Sequence, residues 1–316
     1  MNSEENLYKK IKEICIEQLC TANTETSPYK ARYASSRSDD AKSYKIKISE
    51  EDARAHVETL IEPDEYKNCN DIFRRLLISG QNKVGMPHVI DFMGRENDFK
   101  DILGANQNNQ FDYTKVTEKY SKNSIDDENN LLEAFAEKFK DTDKPIVATG
   151  SKSWWPQYVR FIIAAAWFMK ELCPSSEASL EEFKLALEAK ASEKYSGKYM
   201  LQDYIASEIS GIGFTLACDF LKEIGYPMAK PDIHIKEFMK KQLNREISEQ
   251  DIVEEFNKLS QCVPNKDNEI EIENKQYALD KLIWLCCSGN YYKKGKFKRD
   301  IIVEPKSLRD LFLEKI

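Results

Sequence analysis

Hydrophobic residues recur at helical spacing along almost the whole chain, and this periodicity restricts the fold class before any motif is considered. Leu7, Ile11, Ile14 and Cys15 share one face of a first helix. Ala53, Val57, Leu60 and Ile61 share another after a capping-box-like start, Ser49-Glu50-Glu51-Asp52. Ile72, Phe73, Leu76 and Leu77 form a third apolar face. The pattern then predicts helices near 128–140, 156–172, 178–191, 198–209, 215–224, 233–243, 248–259, 274–288 and 306–315, with a polar loop at 104–110. Pro156 fits the first turn of its helix, where a missing N–H costs nothing. Residues 21–48 interrupt the pattern: Thr, Ser, Asn and Pro cluster there, and Tyr44, Ile46 and Ile48 then alternate with polar residues. The expected fold is mainly α, with at most one or two short strands near 42–49 and no internal repeat.

The 316 residues suffice for one large core or roughly two domains. The longest apolar run, Phe161–Met169, is nine residues, far short of the roughly 20 that a membrane span needs. The N-terminus shows no secretory signal, so a cytoplasmic protein with no membrane partner is expected. Eight cysteines without a C-x-x-C pair, and only three histidines, offer no zinc-site spacing. The thiols are expected to be reduced and mostly buried, and no metal is expected. A net charge of −7 argues against coating nucleic acid by bulk charge but leaves room for a local basic face. Two stretches provide one: residues 21–48 carry a net +3 and residues 290–300 a net +4, the latter with Tyr291, Tyr292 and Phe297 among Lys293, Lys294, Lys296, Lys298 and Arg299. Either stretch can equally be a solvated lysine loop.

The segment from Ile209 to His234 carries most of the functional information. A helix ends near Ser210, Gly211-Ile212-Gly213 turns the chain, and a second helix starts at once. Two glycines one residue apart permit positive φ and close approach of a ligand to the backbone. The N–H groups of the following first turn then form an anion site that needs no Lys or Arg. About twenty residues on, after the loop Gly225–Pro231, Asp232 stands at the start of the next helix and is followed by Ile233 and His234.

This composite resembles the helix-hairpin-helix Gly/Pro-Asp superfamily of DNA glycosylases. The matching residues are Ile209, Gly211, Ile212, Gly213 and Ala217 in the hairpin, the Gly/Pro loop, then Asp232, Ile233 and His234. Looser likeness extends to Phe73–Asn82, where the family has a helix ending in a Ser/Gln/Asn-rich tip, and to Leu282–Tyr291. The resemblance implies two helical lobes with a cleft between them: residues 1–84 with 236–316, and residues 85–235, the latter holding the helix-hairpin-helix at about 201–224. Bifunctional members carry a Schiff-base lysine two residues after the second hairpin glycine; that slot is Thr215 here. The chain thus resembles the monofunctional branch, although Lys222 and Lys230 stand near in sequence. The cluster cysteines of some members are absent after Asp232.

The resemblance assigns roles by position. Asp232 would stabilise the oxocarbenium-like sugar and orient water. Gly211, Ile212, Gly213 and Thr215 would hold a DNA phosphate, with no cofactor beyond an optional monovalent cation at that contact. Gln81 and Asn82 would enter the gap left by a flipped base, and Lys293 and Lys294 would meet the backbone. Trp154, Trp155, Tyr291 and His234 would line the base pocket. Each has a plainer alternative: Asp232 is also well placed to cap its helix, the Trp pair to join a core, and His234 to bond structurally. The expected partner of this monomer is double-stranded DNA with a damaged or modified base, in repair or in antiviral defence against modified phage DNA. A non-catalytic DNA-binding module and a lyase with a displaced lysine are the competing functions. Carboxylates other than Asp232 are expected to lie away from the hairpin face.

Overall fold

The computed structural model describes residues 3–33, 46–81, 95–140, 155–267, 270–294, 297, 299–305 and 307–316. Among them the chain forms fourteen α-helices, a three-stranded antiparallel sheet and a two-stranded hairpin, so the fold is mainly α. The chain divides into two compact units, residues 1–63 with 225–316, and residues 64–224. Residues 64–84, which the sequence reading joins to the termini, therefore fall in the second unit as far as they are described, and residues 225–235, with Asp232, which it joins to the other lobe, fall in the first. The reason for the former is the apolar face of α3 (Cys69–Gln81), which packs on α7 (Trp155–Leu172) and α10 (Phe214–Glu223).

In the first unit, α1 (Ser3–Cys20) packs against α2 (Glu50–Leu60) and α13 (Lys275–Ser288). Ile11, Cys15, Leu19, Val57, Leu279, Leu282 and Ile283 are fully buried between them. Ser49 caps α2 by accepting a hydrogen bond from Asp52 N at 3.1 Å, as its sequence pattern predicts. Next come α11 (Ile233–Leu243), α12 (Glu249–Leu259) and α14 (Leu308–Lys315), while β2 (Lys266–Asp267) and β3 (Ile270–Glu271) form the small hairpin.

The sheet of this unit runs β1 (Lys30–Tyr33), β5 (Ile301–Glu304), β4 (Asn290–Tyr291), all antiparallel. The strand expected near 42–49 is not there among the described residues: 46–49 belongs to no strand, and 42–45 lies outside the description. The strand forms earlier because β1 finds its partner at β5, far away in sequence. Asn23, at φ 65°, ties the two stretches together. Its side chain accepts from Ala31 N at 3.1 Å and donates to Ala31 O and Ile46 O at 2.9 and 3.0 Å. Gly289 ends α13 at φ +67°, and a Cβ there would stand 2.3 Å from Val303 O, so only glycine fits between α13 and the sheet.

In the second unit α7 is the central element. It packs against α3, α5 (Tyr113–Lys119), α6 (Ile125–Lys138) and α8 (Leu180–Lys194). The alanine triplet Ala164–Ala166 is buried, as close helix packing requires. Phe99, Phe135, Phe139, Trp155 and Tyr158 form one aromatic cluster, with ring centroids 5.1–6.4 Å apart. α4 (Glu96–Leu103) and α5 are short helices that the sequence reading leaves unassigned on either side of the 104–110 loop. α9 (Met200–Glu208) and α10 complete the unit and enclose the Gly211–Gly213 turn.

Candidate functional site

The hairpin is built by three local features. Ile209, fully buried, closes α9 by donating its N–H to Ile205 O at 3.0 Å. Gly211 takes φ +92°, which an L side chain rarely adopts, and turns the chain back. Ile212 is 6% exposed and donates to Ile209 O at 3.2 Å, so its side chain pins the turn to the core. Gly213 then stands at the N-cap of α10 with φ −108° and brings no side chain to cap it. The first-turn N–H groups of an α-helix have no intrahelical acceptors, and here no capping side chain occupies them. A Cβ built at Gly213 meets nothing within 4 Å, so the approach to that turn is open. Thr215 is half-buried at the second position of α10.

A buried polar link fixes α10 to α3. Arg75 Nη2 donates to Asp219 Oδ2 at 3.0 Å and to Ser79 Oγ at 3.1 Å, and Ser79 Oγ donates to the same carboxylate oxygen at 3.0 Å. Asp219 is 3% exposed, and Glu223 of the next turn lies 3.9 Å from Arg75. Removing one partner from such a cluster leaves a charge buried without compensation, so α3 and the hairpin helix are held in one register. The sequence signal is a carboxylate in the middle of an apolar helix face, which the sequence reading passes over.

Not all carboxylates keep clear of the hairpin. A cavity of about 360 Å³ beside it is lined by Lys122, Glu128, Arg160, Ser207, Glu208 and Ser210, among others. Both acids are matched: Glu128 takes Arg160 at 3.2 Å, and Glu208 takes Lys194 and Lys122. The hydrogen bond from Lys194 holds the Glu208 carboxyl below its ordinary range. The expectation of a face without carboxylates is therefore replaced by one in which those beside the hairpin are charge-paired.

In the first unit, Asp232 is the N-cap of α11. Its Oδ1 accepts from His234 N at 2.9 Å and from Ile235 N at 3.2 Å, and Oδ2 takes part in neither cap bond. The loop before it is fixed from behind: Asp280 Oδ2, on α13 and 2% exposed, accepts from Lys230 N at 2.9 Å, and Asp232 N donates to Lys230 O at 2.7 Å. Asp280 is a second residue that the sequence reading misses, although a carboxylate among Leu279, Leu282 and Ile283 is its signal. His234 is half-buried and its Nδ1 has no hydrogen-bond partner among the described residues. Burial lowers its pKa, against the pull of the Asp232 charge, so its imidazole is neutral at neutral pH. Ile233, between them, is 60% exposed.

With the geometry of the hairpin and of Asp232 established, known proteins add little. No protein-family profile matches the chain, and no curated protein matches it. One similar solved structure is the Methanocaldococcus jannaschii 8-oxoguanine glycosylase/lyase in complex with a 15mer DNA containing 8-oxoguanine. It is 14% identical, with a TM-score of 0.43, covering 89% of this chain and 96% of that one. At that level the likeness carries no assignment.

Two expected pocket residues are core residues instead. Trp155 is 4% exposed within the aromatic cluster of the second unit. Tyr291 is fully buried, its hydroxyl donating to Gln18 Oε1 at 2.8 Å with Cys15 O a further 3.2 Å acceptor for the same proton, so neither ring face nor hydroxyl is available to a base. Asn82 and Trp154 lie outside the described residues, and Gln81 is the last residue of α3. Lys293 and Lys294 lie on the β4–β5 connection. Lys293 is exposed and its N–H donates to Asp300 Oδ1 at 2.7 Å, whereas Lys294 Nζ donates to Glu62 O at 2.8 Å. Among the described residues no group of three or more His, Cys, Asp and Glu could hold a metal ion, and no helix is long and apolar enough to cross a membrane.

Proposed function

We propose that this protein is a monofunctional DNA glycosylase that hydrolyses the N-glycosidic bond of a flipped, damaged or modified base and leaves an abasic site. The observation that carries the proposal is the composite of an uncapped Gly211–Gly213 hairpin and, after a Pro-rich loop, a half-buried carboxylate held at a helix start. The hairpin offers backbone N–H groups to one DNA phosphate, strengthened by the α10 dipole. Flipping the base costs a few kcal/mol, least for a mispaired or damaged one. As the bond to the base lengthens, positive charge develops on the sugar. The Asp232 carboxylate stabilises that charge, and Oδ2, which the cap leaves out, orients or deprotonates the attacking water. The cap bonds on Oδ1 fix the direction of the carboxylate. His234, neutral and next to it, meets Asp232 through its backbone N–H and is not an acid.

Thr215 at the lyase-lysine slot supports hydrolysis without strand cleavage. The nearby Lys222 is 4% exposed and lies 3.5 Å from Glu223, which suits an ion-pair partner better than a nucleophile. The absence of a lyase lysine and of cluster cysteines supports a specialised substrate, such as a bulky modified base of viral DNA, met by a cytoplasmic monomer. Mass spectrometry of bases released from damaged, mismatched and phage-modified duplexes tests the proposal. Release of one free base with no borohydride-trapped adduct is expected; a trapped adduct would move the protein to the lyase class. A second reading rests on the same Asp232 geometry, since its two cap bonds suffice to explain an Asp there. A non-catalytic module of that kind binds DNA and releases no base from any substrate.

A further inference from the structure

Within the first unit, α14 packs on α11 and α13, and it runs in the same direction as α11. Phe238 of α11 stacks on Phe312 of α14, with centroids 6.0 Å apart and planes 20° apart, and further along Lys241 Nζ donates to Leu313 O. His234, one turn before Phe238, and Arg309, one turn before Leu313, therefore share the end at which Asp232 caps α11. Two groups at this end respond to Asp232 and Arg309 together. Burial lowers the pKa of His234, with the Asp232 charge opposing and the Arg309 charge adding. Burial raises the Cys287 thiol, with Cys15 and Asp232 adding and Arg309 opposing. Arg309 is half-buried, and among the described residues its ion-pair partner is the exposed Asp310 at 3.9 Å, too long for a hydrogen bond. A pair of that kind contributes little and leaves the planar guanidinium fork open. Beside it, Asp232 Oδ2 stays outside the cap bonds, and Ile233 is 60% exposed.

We propose that Arg309 holds the DNA phosphate next to the nucleotide whose glycosidic bond faces Asp232, and so sets the position of that sugar against the carboxylate. The assignment rests on the glycosylase reading above and deepens it. A sugar brought to a fixed carboxylate carries a phosphate on each side, and like charges at that range repel. A cation beside the carboxylate removes the obstacle, and the guanidinium fork matches two phosphate oxygens at once. His234, neutral, brings no charge to the task. Arg309 is a positioning residue: it holds the strand while Asp232 serves the bond.

The test uses the full-length protein and duplexes that carry one non-hydrolysable abasic-site analogue. In two of them the phosphate on one or the other side of the analogue is replaced by a neutral methylphosphonate. Wild-type protein should lose affinity about tenfold at one of these two positions. Arg309→Gln should bind the unmodified duplex about tenfold more weakly and be indifferent to the methylphosphonate at that position, whereas Arg309→Lys, which keeps the charge, remains sensitive. Arg245→Gln removes a charge just beyond the other end of α11 and should keep the wild-type sensitivity. A merely structural Arg309 would leave the response to the methylphosphonate unchanged. Wild-type protein that binds none of the duplexes, or is indifferent to both methylphosphonates, overturns the assignment, and this result needs no variant to fold. Arg309→Gln that still loses affinity at the sensitive position overturns it as well. Base release from substrate duplexes, measured with the same preparations, separates the two proposals. Sensitivity without release removes the glycosylase and keeps Arg309 as a phosphate contact, and release without sensitivity does the reverse.

Discussion

Replacing Gly80 by alanine probes how closely α3 and α7 meet, directly behind the end of α3 at Gln81. A Cβ at Gly80 would stand 2.3, 2.6 and 2.7 Å from Cε1, Cζ and Cδ1 of Phe161. That ring cannot simply swing away. It is 3% exposed and stacked on Tyr158 at 5.8 Å and 9°, and the Tyr158 hydroxyl donates to Leu77 O at 3.1 Å. Relieving the clash needs a displacement of about 1 Å passed on to Tyr158, and overpacking of this kind costs about 1–3 kcal/mol. Alanine recovers at most about 1 kcal/mol through helix propensity, and less one residue from a helix end. The net expectation is a loss of about 1–2 kcal/mol. In a Phe161→Leu background the obstacle is gone and the same change should be neutral or slightly stabilising, a coupling of at least about 1 kcal/mol. Urea denaturation of the four proteins measures this. A higher midpoint for Gly80→Ala in the wild-type background, or an equal cost in both backgrounds, would refute the close approach.

Other perturbations separate folding from function. Gly213→Ala meets no atom within 4 Å, so stability should stay within about 0.5 kcal/mol of wild type. The added methyl stands where a phosphate approaches, and DNA affinity should fall about tenfold in a binding titration. Gly211→Ala instead places an L residue at φ +92° and should lose about 1–2 kcal/mol in denaturation. Asp280→Ala leaves the half-buried Lys230 N–H without this acceptor and should cost about 1–3 kcal/mol, with slower base release, whereas Asp280→Asn keeps an acceptor and most of both. His56, 3% exposed, has its pKa lowered by burial to about 4. Its neutral form fits the fold, so its full contribution to stability is present above pH 6.5. On the order of 3 kcal/mol is then lost as the pH falls from 6.5 toward 4, because only the unfolded chain takes up the proton there. His56→Phe should flatten that part of a stability–pH profile.

The helices were legible in the sequence because each buries one face, and a face recurs at a local period. β1 was not: Lys-Ala-Arg-Tyr has no alternation strong enough to mark a strand, and its partner lies some 270 residues away at Ile301–Glu304. Tyr291 and Tyr292 are alike in sequence, yet one is core and the other surface, because β4 alternates and only the pairing with β5 sets its phase. Asp232 and the two hairpin glycines were legible because cap and turn chemistry is local. Asp280 and Asp219 were not, because a buried carboxylate declares its role only through partners on other elements.

Asp232→Asn tests the central claim most directly. The amide oxygen can still accept from His234 N and Ile235 N, and Asn caps about as well as Asp, so folding and DNA binding should be nearly unchanged. Only the negative charge is lost. If Asp232 stabilises the sugar cation, base release should fall by about 10²–10³-fold or more, measured as free base by mass spectrometry against the wild-type enzyme on its best DNA substrate. Release at the wild-type rate by a folded, DNA-binding Asp232→Asn protein would contradict the account and leave Asp232 as a helix cap.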